Sequence, residues 1–117
     1  MKTESLSKKQ RRFNREISIF MVWANSLPGY EFTDGDAYRD PRVFGKHGQK
    51  KGYGGQSSLH KLRLARDVNL FFLGEYITES DHPAWDILHD MWELKHGGAE
   101  RIKGDGNHFS FAHKGCR

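Results

Sequence analysis

Cysteine is nearly missing from this chain. Cys116 stands alone, beside the last residue, so no intramolecular disulfide can form and no cysteine-rich zinc knuckle can be built. Its position predicts a spare thiol in a frayed polar tail over 112–117. Long apolar runs are missing too. The run Ile19 to Ala24 is too short for a secretory signal core with its cleavage site, and nothing approaches the ~20 apolar residues of a membrane span. The expectation is a product made in the cytoplasm without a signal peptide and without membrane insertion. A charge run of one sign is also absent. Nineteen Lys and Arg against fifteen Asp and Glu leave a formal charge of +4, spread along the chain rather than gathered in a phosphate-binding arm. Such a surplus favours an anionic partner, whether nucleic acid, lipid headgroups or cell envelope, without choosing among them. Repeats and low-complexity tracts do not occur.

What is present suits one small domain. The chain's 117 residues are enough for one ordinary domain and too few for two. A domain of this size buries roughly two-thirds of the surface its unfolded chain exposes. Eight Phe, four Tyr and three Trp fill a small core with few residues, and the core is expected over about 6–111.

Ser7 as an N-cap, with Gln10 three residues on, reads as a capping box. Phe13, Ile17, Phe20, Met21 and Ala24 follow at helical spacing. Pro28 and Gly29 close this first helix, and Tyr30 to Thr33 reads as a short strand. From Asp34 to Ser58 many glycines and charges predict an extended loop, a substrate rim or lid or else a mobile segment. Leu62, Leu64, Val68, Leu70 and Phe72 then alternate with Ala65, Asp67, Asn69 and Phe71, the period of a strand, although Leu59 to Arg66 can begin as a turn. Gly74 and Glu75 read as a hairpin turn and Tyr76 to Thr78 as the returning strand. Ser80 or Asp81 can cap a second helix, with Pro83 in its first turn. Ala84, Leu88, Met91 and Trp92, with Trp85 and Ile87 alongside, give it a broad apolar face, and His96-Gly97-Gly98 stops it. After a tight turn over Gly104 to Asn107, Phe109 and Phe111 share one strand face, and His108 and Ser110 the other. The fold class is α+β, a small antiparallel sheet with packed helices.

Seven histidines are the main source of chemistry. With cysteine effectively absent, a zinc site here must combine His with Asp or Glu, and a catalytic site uses three protein ligands and leaves a position for water. Asp67 is the sharpest signal. An aspartate inside a Val/Leu/Phe strand is costly if buried alone, and a metal ion shared with His60 would remove that cost. The alternative is an aspartate exposed at a sheet edge. His108, closely preceded by Asp105, can complete the shell and put Asp105 against the water. His89 and His96 lie two helical turns apart, ~10 Å of rise, too far to share an ion, and are expected to face solvent. His47 in the glycine-rich loop can touch substrate. His82 and His113 are expected at the surface.

The run Ser58-Leu59-His60, continuing to Ala65-Arg66-Asp67, resembles the Ser-x-His, Ala-x-Asp metal motif of the zinc D-alanyl-D-alanine carboxypeptidase and L-alanyl-D-glutamate endopeptidase family. Asp105-Gly106-Asn107-His108 resembles its second motif, Asp/Glu-x-x-His. The similarity is closest to small bacteriophage endolysins. It extends through the Gln- and Arg-rich first helix, Gly29-Tyr30-Glu31, Tyr38-Arg39 and Asp67-Val68-Asn69-Leu70-Phe71, and covers Leu6 to Phe111. It implies a hedgehog/DD-peptidase-like single domain with one catalytic zinc ion (Zn2+) on His60, Asp67 and His108. It further implies Asp105 as general base, Arg39 steadying the polarised carbonyl, and Ser58 as a helper near the substrate or the ligand shell. The implied substrate is the stem peptide of bacterial peptidoglycan, cut at L-alanyl-D-glutamate, with removal of a terminal D-alanine as the other option. A monomer is expected, with no nucleic acid as partner, reaching the wall through a separate holin-type protein. Two positions depart from the family pattern. Arg63 stands where the family often has glycine, and is expected near the metal face, where it could crowd or recognise an acidic substrate group. Ser110 replaces a glutamate common two residues after the last ligand. Two rivals differ in class: a basic nucleic-acid-binding module, for which no stacked-aromatic motif or recognition helix is present, and a His-Asp-His metal nuclease.

Overall fold

The computed structural model describes residues 3–40, 46–48 and 58–117. The expectation for the interior of the glycine-rich loop, at 41–45 and 49–57, lies outside the described residues.

Helix α1 (Leu6–Ser26) forms where one apolar stripe can be buried: Phe13, Ile17, Phe20 and Ala24 recur three or four residues apart and are all buried. Its start differs from the sequence expectation. Ser5, not Ser7, is the N-cap, with an extended backbone and an Oγ that accepts from the Lys8 N–H at 3.1 Å. Ser7 already lies inside the helix. Gln10, expected as the reciprocal capping partner, instead donates its amide to the Leu62 carbonyl at 2.7 Å, which ties α1 to the turn that carries His60. The chain leaves the helix through Gly29, whose φ of +80° is one that glycine adopts freely.

Strand β1 (Tyr30–Asp34) runs antiparallel to β2 (Ala65–Phe72), with Tyr30 opposite Phe72 and Asp34 opposite Val68. After the Leu73-Gly74 turn, the short β3 (Glu75–Tyr76) returns against Phe71 and Phe72. β4 (His108–Ser110) pairs with Ala65 to Asp67. β2 is therefore the middle strand of four: the Asp67 N–H donates to Asp36 O on one side and the Val68 N–H to Asn107 O on the other. Leu59–Leu62 is a 3-10 turn that stops at Arg63, whose φ is +56°. That resolves the turn-or-strand ambiguity at Leu59 to Arg66. Leu64, Val68 and Leu70 are fully buried, as their alternation predicts.

Helix α2 (Ala84–Lys95) lays Ala84, Trp85, Leu88, His89 and Trp92 on the core and leaves Ile87 exposed. Neither Ser80 nor Asp81 caps it. The His82 Nδ1 accepts from the Ala84 N–H at 3.0 Å, and Ser80 donates its hydroxyl to Gly104 O. Trp92 joins the layers: it meets Phe13 edge-to-face at 5.8 Å, stacks on Phe111 at 5.5 Å, and donates its Nε1–H to Ser110 O at 3.0 Å. The tail is not frayed. The backbones of His113 and Cys116 exchange hydrogen bonds of 2.8 and 2.9 Å, and Cys116 packs half-buried against the core. Lys9 of α1 holds this hairpin through Ala112 O and the His113 ring. No helix among the described residues is long and apolar enough to cross a membrane.

The two helical histidines do not face solvent. His96 is half-buried, paired with Glu16 at 2.8 Å and stacked on Trp92. His89 is 2 % exposed. Its Nε2–H donates to Gly106 O at 2.6 Å, and its ring stacks on Phe109 at 4.4 Å. Each stands four residues after a tryptophan of the buried face, so helical spacing itself places them inward. Burial holds the His89 ring neutral and lowers its pKa from 6.5 to about 4. Between those pH values the unfolded chain binds more protons than the folded one, so stability is full above pH 6.5 and falls as pH drops toward 4. The expected loss is about 3 kcal/mol by pH 4. Urea unfolding at pH 7 and pH 4 with chelator present checks it: His89→Leu should lose less on acidification than the wild type by about that amount.

Candidate metal centre

Three elements converge on one point. His60 lies in the 3-10 turn, Asp67 on β2, and His108 on β4 directly opposite Asp67 in the strand register. Residues facing each other across an antiparallel pair project to the same side, so the aspartate and the second histidine meet because β2 and β4 pair as they do. The His60 Nε2 is 3.2 Å from Asp67 Oδ1, and the His108 Nδ1 is 3.1 Å from the same oxygen. One donor atom from each of the three lies within 4.8 Å of the others. Ligands at ~2.1 Å from a tetrahedral zinc stand about 3.4 Å apart, so small side-chain adjustments would bring all three onto one ion.

The proton positions point the same way. A carbonyl can only accept, so the contact of His60 Nδ1 with Ala37 O at 2.7 Å puts the proton on Nδ1. A neutral His60 then aims the bare lone pair of Nε2 at a carboxylate oxygen. Two acceptors face each other at hydrogen-bond distance only with a positive charge to reconcile them, either a second ring proton or a cation between them. A metal-ligating histidine that donates its other N–H to a backbone carbonyl is the usual outer-shell arrangement. The His108 Nε2 is buried with no hydrogen-bond partner among the described residues, and the ring meets Asp67 and Asp105 through Nδ1. Burial pushes the Asp67 carboxyl up, but the His108 and His60 rings set against it outweigh that and hold the group at about 2. It is thus an anion throughout the physiological range. Two imidazoles and one carboxylate are a donor set that zinc accepts.

The cleft above these ligands has a volume of about 300 Å3 and is lined by Arg39, Ser58, His60, Ile102, Asp105, His108 and Arg117. Asp105 reaches in from the turn before β4, its Oδ2 3.8 Å from the His108 Nδ1. Burial raises its pKa above the ordinary aspartate value, toward the range where a carboxylate exchanges protons efficiently. Arg39 is held on several sides. Its guanidinium donates to Ser58 Oγ at 2.9 Å and to Asp36 Oδ2 at 3.3 Å, and lies 3.9 Å from Asp67 Oδ2. Its backbone N–H donates to His60 O. Ser58 also caps the 3-10 turn by accepting from the His60 N–H.

Most of the residues expected at the site therefore meet there: His60, Asp67, His108, Asp105, Arg39 and Ser58. Two do not. His47 is exposed and is not among the residues that line the cleft. Arg63 is turned away from it: as the C-cap of the 3-10 turn it takes a left-handed backbone and lays its guanidinium over the Tyr38 ring at 3.8 Å. That conformation is one that glycine adopts freely and a residue with a Cβ rarely does. Sequence reading did not reveal Ala37, Asp36, Ile102 or Arg117. Ala37 acts through a backbone carbonyl, which no side-chain pattern reveals. Asp36 carried a signal, a carboxylate three residues before Arg39.

What stands in the structure is a buried His/Asp/His cluster able to hold a metal ion, of the general kind found in zinc-peptidase-like modules, on an α+β fold that has four antiparallel strands and two packed helices among the described residues. Comparison with protein-family models, with curated proteins and with solved structures gives no match to this chain.

Proposed function

We propose that this chain is a zinc metallopeptidase that hydrolyses the stem peptide of bacterial peptidoglycan, with L-alanyl-D-glutamate as the bond cut. The observation that carries the reading is the meeting of His60 Nε2, Asp67 Oδ1 and His108 Nδ1 in a cleft that also presents Asp105 and Arg39. The motif resemblance supplies the substrate class, and the formal charge of +4 suits an anionic wall.

A zinc ion on these ligands would supply Lewis acidity, making a water nucleophilic near neutral pH and drawing charge from the scissile carbonyl. The chain's own residues do the rest. Asp105 takes the proton from the attacking water at a carboxylate oxygen and returns it to the departing amine. Arg39 offers its guanidinium to the charge that develops on the carbonyl oxygen, and Asp36 and Ser58 keep that guanidinium in place. Ala37 fixes the His60 tautomer through its carbonyl. In this reading the protein works as a monomer and meets the wall once a separate holin-type protein lets it pass.

Mass spectrometry of purified peptidoglycan, digested with the zinc-loaded protein, tests the reading. New alanine carboxyl ends and glutamate amino ends are expected. Release of free D-alanine would reassign the activity to a carboxypeptidase, and an unaltered wall would end the peptidase reading.

A further inference from the structure

A cavity larger than the metal cleft lies away from the metal centre. It measures about 650 Å3 and lies between α1 and the run that leads from β1 towards Arg39, well within the size of sites that take small organic ligands. Phe13, Ile17 and Ala65 give it apolar walls, and Arg11, Arg63 and Arg66 give it three cations. One carboxylate offsets them: Asp34, which pairs with Arg66. Arg11 bonds through Nε to the Ser7 carbonyl, and Arg63 stacks on Tyr38. Neither has an acidic partner among the described residues. Among the described residues the cavity thus holds two cations with no carboxylate partner.

Arg63 also sits where its backbone should not favour it. Its φ of +56° is in the left-handed region that glycine enters freely and a residue with a Cβ does not. A long cation held there against local preference, braced on an aromatic ring and facing a partly apolar cavity, marks a place where the side chain has a use of its own.

We propose that this cavity is a second binding site, distinct from the metal cleft, for a short peptide bearing free carboxylates. Arg63 and Arg11 hold the carboxylates, for which a guanidinium is the matching planar donor. Phe13, Ile17 and Ala65 take the small apolar side chains. Asn14, also on the wall, offers an amide that pairs with a peptide group in both directions. Apolar walls and an amide suit a peptide better than a strongly hydrated phosphate chain. Under the peptidase reading the occupant is a second stem peptide of the same wall; only that identification rests on the reading.

The test is an NMR titration of the full-length, zinc-loaded chain with N-acetyl-D-glutamyl-D-alanine, which contains no L-alanyl-D-glutamate bond, and with its diamide. Saturable shifts are expected at the Ile17 and Ala65 methyls and at the Arg63 guanidinium, with the diamide at least tenfold weaker. Arg63→Gly should keep the fold, because glycine accepts this φ, and should bind the acid at least tenfold more weakly. Arg11→Gln, away from the strained turn, should weaken it in the same direction. Equal affinity of acid and diamide would overturn the proposal. So would shifts confined to Ser58 and His108, undiminished binding by both variants, or displacement of the peptide by a lower concentration of polyglycerol phosphate. The two readings fail separately: an unaltered wall in the digestion leaves this titration intact, and a silent cavity leaves the digestion products as they are.

Discussion

Asp105→Ala is expected to lower peptide turnover at least ~100-fold while zinc binding stays complete, the low end of what a general base contributes. The side chain is not among the three whose donor atoms cluster, and at 45 % exposure it can be truncated without opening the core. Its Oδ2 comes to 3.8 Å from the His108 ring, near enough to reach a water that shares the ligand cluster. Turnover assays set beside metal analysis check the outcome. Full activity with full zinc would move the proton-transfer role to another group. Loss of both would recast Asp105 as a residue that supports the ligands.

His60→Ala should fail differently. The imidazole is 1 % exposed, donates from Nδ1 to Ala37 O and sets Nε2 against Asp67 Oδ1. Its removal takes away a ligand and leaves the Asp67 anion with one imidazole instead of two. Zinc affinity should fall by more than the ~10–100-fold that follows loss of an outer partner, and activity should fall with it. Stability follows by linkage: an ion present at a thousand times its Kd adds about 4 kcal/mol to the wild type. Chelator should therefore lower the wild-type melting temperature by several degrees and leave that of His60→Ala where it was. A wild type whose melt and activity ignore exhaustive chelation would remove the metal from the account.

The His60, Asp67 and His108 cluster was legible in the sequence because two kinds of signal agreed. Asp67 broke an otherwise apolar alternation, and His60 and His108 stood in motifs with neighbouring residues in place. The core was legible for a similar reason: Phe13, Ile17 and Phe20 on α1 and Val68 and Leu70 on β2 follow the periods of their elements. Reading failed where one residue had to serve two patterns. The motif position of Arg63 points to the metal face, but its backbone is left-handed and its side chain lies over Tyr38 in the other cavity. As polar residues His89 and His96 predict a solvent face, yet they continue the stripe that Trp85 and Trp92 begin. The helix caps were misplaced by two residues at α1 and went to a histidine ring at α2, because Ser5, Ser7, Ser80, Asp81 and His82 all have the chemistry to cap. Only the tertiary path selects among them.

The interval between His60 and Asp67 has a consequence for finding other proteins of this kind. It contains one turn, one left-handed residue and the first residues of a middle strand, and each fixes the orientation of the next. Removing a single position between Leu64 and Asp67 would rotate every later side chain of β2 to the other face of the sheet, driving the carboxylate into the hydrocarbon layer and Val68 out of it. The interval therefore works as a ruler: a candidate that keeps His60, Asp67 and His108 but carries an insertion or deletion there should be rejected.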